Sequence, residues 1–124
     1  TLMLESINYE VLQETEKANH APVLLKNFSN ISIFSGQSYT LNLSEYFYDE
    51  DNDTLTFSFY NNSVIDVAIA NETVALIPIG NFTGKEYMFF IANDSIDTAI
   101  SNIFEIEVKK RERVLKSLRE LVGA

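Results

Sequence analysis

Five consecutive residues, Asp49-Glu50-Asp51-Asn52-Asp53, carry acid or amide side chains and run straight into an alternating apolar stretch ending at Phe59. A packed core cannot hold that much unpaired charge, so the five belong to a surface loop. The chemistry such a loop does best is the binding of a hard cation. Ca²⁺ takes six to eight oxygen ligands, mostly carboxylate and carbonyl, on loops. Asp49, Asp51 and Asp53 alternate, so extended backbone projects them to one side. Asp94 with Asp97, and Asn19, are the other oxygen donors the topology below can bring to them. Candidate Ca²⁺ ligands are therefore Asp49, Asp51, Asp53, Asp94 and Asn19. The competing reading is a solvated acidic cap relieved by salt. An EF-hand is excluded, because its sixth loop position would be Thr54 instead of Gly and its twelfth Tyr60 instead of Glu.

Catalytic chemistry has less to work with. The single histidine, His20, stands two residues before Pro22 and reads as a boundary residue. No glycine-rich phosphate loop and no G-x-S-x-G elbow occurs. Paired carboxylates can cleave a glycoside, but here the acids cluster on loops with no evident cleft. The sequence reads as a non-enzyme.

The 124 residues suffice for one domain with a real core and short extensions, and 46% of them are hydrophobic. A net charge of −9 argues against nucleic acid, whose phosphates need clustered Lys and Arg. No apolar run reaches the ~18 residues of a membrane span. Cysteine is absent, so there are no disulfides and no thiolate sites. The chain begins at Thr1 without a visible signal peptide, as a processed product or a fragment would.

Asn27, Asn30, Asn42, Asn52, Asn61, Asn71, Asn81 and Asn93 each begin N-x-S/T. Twelve Asn and 19 Ser plus Thr would give about two such sequons by chance. Turns of β proteins favour these residue types, which inflates the number. The excess nonetheless points to a secreted or cell-surface location, with these eight as glycosylation candidates.

Charge and periodicity divide the chain into three parts. Residues 1–19 carry net −3, with Leu4, Ile7 and Val11 at helical spacing: an amphipathic extension ended by Asn19-His20-Ala21-Pro22. Residues 20–108 carry net −10 and a period of two. Strands are expected over 23–26 with 31–34, 39–43, 55–59, 64–70, 73–77, 86–92 and 100–108. Seven strands divided by turns in about 90 residues form an Ig-like Greek-key β-sandwich. Leu41, Leu55, Phe57, Phe89, Phe104 and Ile106 are its expected core, Phe82 its plug, and Tyr87 its expected tyrosine corner. Residues 109–124 carry net +4, with Val114, Leu118 and Leu121 on one helical face: a basic amphipathic helix.

In such a sandwich the second-to-third and sixth-to-seventh strand loops share one end, and counting strand directions places the N-terminal approach there too. The acidic loop, Asp94 with Asp97, and Asn19 should therefore converge.

The stretches NHAPVL, GQSYTLNLSEYFYDEDNDTLTFS, IPIGNFTG and EYMFFIANDSIDTAISNIFEIEV together resemble the cadherin-like and Ig-like repeat modules of archaeal and bacterial surface proteins, a group related to the dystroglycan-type cadherin-like domains. The resemblance runs over residues 19–108. The family usually has Gly in its DxDGD-like turn, where this chain has Asn52; Asn also tolerates left-handed backbone. The resemblance implies a sandwich used in tandem as a spacer or adhesion unit, with calcium-stiffened junctions and no catalysis.

Three roles stay open on the sequence. The first is a structural or adhesion module whose partners are neighbouring domains of a surface protein. The second is a subunit of an extracellular filament, linked head-to-tail through its acidic first and basic last segments. The third is a carbohydrate-binding module, with Tyr46, Tyr48 and Tyr60 as stacking faces for glycans.

Overall fold

The computed structural model describes residues 18–60 and 63–111. The helical extensions expected at the two ends fall outside these residues from 1 to 17 and from 112 onwards, as does Asn61. Eleven short strands build the described part: β1 (Val23–Leu24), β2 (Ile31–Phe34), β3 (Tyr39–Asn42), β4 (Phe47–Tyr48), β5 (Thr56–Phe59), β6 (Ile65–Ala70), β7 (Thr73–Pro78), β8 (Gly84–Met88), β9 (Phe90–Asn93), β10 (Thr98–Ile100) and β11 (Phe104–Lys109). Between Tyr39 and Tyr60 the only helical piece is a 3₁₀ turn, Leu43–Glu45, capped by the Asn42 side chain.

Sheet orders are β1-β4, β3-β7-β6, β2-β11-β8 and β10-β9-β5. All pairings are antiparallel except β2 with β11, which is parallel. The lead-in strand thus divides. Its first half joins β4, and its second half joins the last strand. The seven expected strands become eleven segments partly through interruptions. Only Phe89 separates β8 from β9, and the inward parity runs on through Met88, Phe90 and Ala92, all buried. On the last strand, the Ile100↔Ile91 pairing becomes Phe104↔Met88, so four residues advance against three. That extra residue is a β-bulge. The Ser101 hydroxyl accepts the Phe90 N–H at 2.9 Å, and Asn102 holds Phe28 by both its N–H (2.8 Å) and its C=O (2.9 Å).

The core is Phe28, Ile31, Ile33, Leu43, Phe47, Ile65, Val74, Leu76, Met88, Phe90, Ala92, Phe104, Ile106 and Val108. Phe28 organises its aromatic part, 5.2 Å from both Phe90 and Phe104. Of the expected core, Phe104 and Ile106 are fully buried, while Leu41, Leu55 and Phe57 are only partly buried against it. Phe57 lies on β5, an edge strand, so one flank stays open. Phe89 is a correction: it has outward parity and stacks on Tyr60 at 5.4 Å, and Phe90 takes the inward place. Tyr87 shares that outward parity. It is 53% exposed and its hydroxyl donates to Glu105, so it is no tyrosine corner. Phe82 packs partly buried against the core. Its ring lies 3.4 Å from where a Cβ on Gly84 would stand, and Gly84 has φ +132°, so glycine is needed there.

Candidate functional site

Strand parity carries two carboxylates inside. On β4, Phe47 points in and Tyr48 out, so the next residue, Asp49, points in and is 6% exposed. On β9, Ala92 points in and Asn93 out, so Asp94 points in and is 3% exposed. Each begins a loop wrapped around its own Oδ1. Asp49 Oδ1 accepts the N–H groups of Asp51 (2.9 Å) and Asp53 (3.2 Å). Asp94 Oδ1 accepts those of Ile96 (2.9 Å) and Asp97 (2.7 Å). Left-handed residues close both turns: Asn52 at φ 59° and Ser95 at φ 81°. Asn52 thus supplies the geometry that glycine would otherwise give.

The N-terminal approach meets these loops. The Asn19 amide donates to Asp94 Oδ2 and to Asp97 Oδ2, both at 2.9 Å. His20 donates its backbone N–H to Asp51 Oδ2 at 2.7 Å, and its ring Nδ1 lies 2.9 Å from Asp51 Oδ1. Glu50 lies 3.7 Å from the other ring nitrogen. The hydrogen bond with Asp51 and the charge of Glu50 raise the His20 pKa above its usual value. The Asp94 carboxyl is held below the usual range, first by the hydrogen bond from the Asp97 backbone and next by Asn19, against a smaller opposing effect of burial.

Asp49, Asp53 and Asp94 each bring a carboxylate oxygen within 4.8 Å of the others. Oxygens on opposite sides of a Ca²⁺ ion, at 2.3–2.6 Å, are about 5 Å apart, so one ion can touch all three. Asp49 Oδ2 is buried and has no hydrogen-bond partner among the described residues. A buried carboxylate oxygen without a partner is costly unless a cation or proton meets it. The all-oxygen donor set suits a hard cation of the Ca²⁺, Mg²⁺ or Mn²⁺ type over metals that prefer thiolate or imidazole.

The five candidate ligands are therefore not equivalent. Asp49, Asp53 and Asp94 come together; Asp51 is engaged by His20; Asn19 presents its amide N–H groups to Asp94 and Asp97. The role of His20 as the clasp of the acidic loop was missed in the sequence, although its place just ahead of Pro22 put it beside that loop.

The described sequon residues Asn27, Asn30, Asn42, Asn52, Asn71, Asn81 and Asn93 are all exposed. Asn42 and Asn93 use Oδ1 to accept N–H groups two residues on, and Asn30 Oδ1 accepts the N–H of Glu105 on β11. Attachment of a glycan at Nδ2 would leave those bonds in place. Tyr46 is not a free stacking face: Phe28 covers one side at 3.9 Å and Lys26 lies over the ring at 4.7 Å. Tyr48 and Tyr60 are exposed but lie far apart, one beside the acidic loop and one past the opposite end of β5.

No protein-family model matches the chain, and no curated protein does. Solved structures do. An endo-fucoidan hydrolase of glycoside hydrolase family 107 matches with TM-score 0.56 and 21% identity, over 77% of this chain and 14% of that one. The N-terminal Ig1-2 module of the Drosophila receptor protein tyrosine phosphatase DLAR matches with TM-score 0.52 and 13% identity, over 77% and 49%. A SusE-like, surface-located polysaccharide-binding protein of Bacteroides thetaiotaomicron matches with TM-score 0.50 and 12% identity, over 75% and 15%. These likenesses establish an Ig-like β-sandwich, and the chain spans only a small part of the first of these proteins. No helix among the described residues is long and apolar enough to cross a membrane.

Proposed function

We propose that this chain is a non-catalytic, Ig-like module of a secreted or cell-surface protein, and that Asp49, Asp53 and Asp94 hold a calcium ion that stiffens its N-terminal junction. The carrying observation is the buried, partnerless Asp49 Oδ2 beside two further carboxylates. Asn19 and His20 tie the incoming chain to the same two loops, so an ion there acts on the junction as well as on the loops. The resemblance of the sequence stretches quoted above to cadherin-like repeats is compatible with this reading. The carbohydrate-binding alternative draws on the SusE-like neighbour, but Tyr46, Tyr48 and Tyr60 form no common platform for it.

The test is thermal unfolding with and without calcium. At a concentration 100 times its dissociation constant, a ligand of the folded state alone adds about 2.7 kcal/mol, which is roughly 10–20 °C for a domain of this size. Asp49→Asn and Asp94→Asn should abolish that gain. A melting temperature indifferent to calcium would leave the acidic cap as the better reading.

A further inference from the structure

The two ends of the sandwich carry opposite charge. At the end where the chain enters stand six carboxylates, Asp49, Glu50, Asp51, Asp53, Asp94 and Asp97, with His20 as the one basic side chain beside them among the described residues. The opposite end lies nine residues along β8 and β9, from Asn93 back to Gly84, about 30 Å away at ~3.3 Å per residue. Four of the five Lys and Arg among the described residues belong to that end: Lys85, Lys109, Lys110 and Arg111. Lys85 pairs with Glu105 and Lys109 with Glu107. Lys110 and Arg111 pair with no acid among the described residues. They line a cavity of about 560 Å³ with the polar groups of Ser35, Asn81 and Thr83. The sequence beyond each end carries the same sign as the end itself: residues 1–17 are net −3 and residues 112–124 net +1.

We infer that the Lys110–Arg111 end of one copy docks on the exposed acids Glu50, Asp53 and Asp97 of a second copy, head to tail. The chemistry is direct. A guanidinium forks onto a carboxylate, and a polar cavity accommodates a carboxylate loop without burying an unpaired charge. One bound Ca²⁺ would still leave four net negative charges on the acidic end, so the contact stands with or without the ion. A second copy is the favoured occupant because it carries the complementary surface itself, the six-carboxylate end, on a folded scaffold. The contact is heterologous and does not close, so it makes rows of open length.

The test is sedimentation of the full chain, produced without glycosylation because a glycan on Asn81 would fill the cavity. It is run in EDTA at about 1 mM protein, where even a millimolar contact is half formed. Association should be open-ended at low salt and fade as the screening length falls below about 10 Å above 0.1 M. Lys110→Glu with Arg111→Glu should weaken it at least about tenfold, and so should Glu50→Lys with Asp97→Lys. Mixing the two variants should restore it. A wild-type chain that stays monomeric, or a Lys110→Glu, Arg111→Glu variant that associates as the wild type does, overturns the inference. EDTA separates either outcome from the fate of the calcium proposal.

Discussion

Replacing Phe90 by Ala removes the side chain on which the aromatic core converges. Its ring is fully buried, 5.2 Å from Phe28 and 5.9 Å from Phe104, and β9 is held on both flanks by β5 and β10. A central strand relaxes little, so most of the vacated space stays empty, and the loss should be about 3–5 kcal/mol. For a domain of this size that lowers the melting temperature by ~12 °C or more. The neighbour Phe89 is the control. Its ring has outward parity, is part-buried, and among the described residues stacks on Tyr60, so Phe89→Ala loses that aromatic pair, worth about 0.5–1.5 kcal/mol, and a partial burial, and should cost less than Phe90→Ala. Urea unfolding of both variants, followed by circular dichroism, measures the difference with m unchanged. Equal losses, or a larger loss at Phe89, would refute the assigned parity of β8 and β9 and with it the burial of Asp94.

Asn102→Ala should cost about 1–3 kcal/mol, because it strips both the N–H and the C=O of Phe28 of their partner; urea unfolding reads this directly. In EDTA, His20 and Asp94 set opposite limbs of the pH profile. The raised pKa of His20 contributes stability that is complete below 6.5 and lost as pH rises through the folded value; the lowered pKa of Asp94 contributes stability that is complete above 3.8 and lost as pH falls through its folded value. The melting temperature should therefore peak between the two limbs, and His20→Gln should flatten the upper one while leaving the acid one. A His20→Gln profile that still falls above pH 6.5 would mean that another group sets that limb.

The alternation of β5 and the turns at Asn52 and Asn71 were legible in the sequence because side-chain period and left-handed turn chemistry are local properties. The convergence of Asn19, the acidic loop and Asp94 with Asp97 followed from strand directions alone. Phe89 was misread because the run from Tyr87 to Ala92 is apolar on both faces, so no alternation marks the inward side. Parity counted outward from Phe47 and Ala92 would have singled out Asp49 and Asp94 as the buried acids. Charge spacing alone gave Asp51 equal weight, though His20 occupies it. The bulge at Ser101–Ile103 has no signal in the sequence pattern, since it is fixed by hydrogen bonds to distant Phe28 and Phe90. Its consequence is the division of the last strand into β10 and β11.

The most direct measurement of the central claim is a calorimetric titration of the chain with calcium at neutral pH. Carboxylate sites of extracellular modules bind with dissociation constants of about 10⁻⁴–10⁻³ M, and one such site is expected here, lost in Asp49→Asn and weakened in Asp53→Asn. No heat up to about 10 mM calcium, well above that range, or full binding by Asp49→Asn, would contradict it.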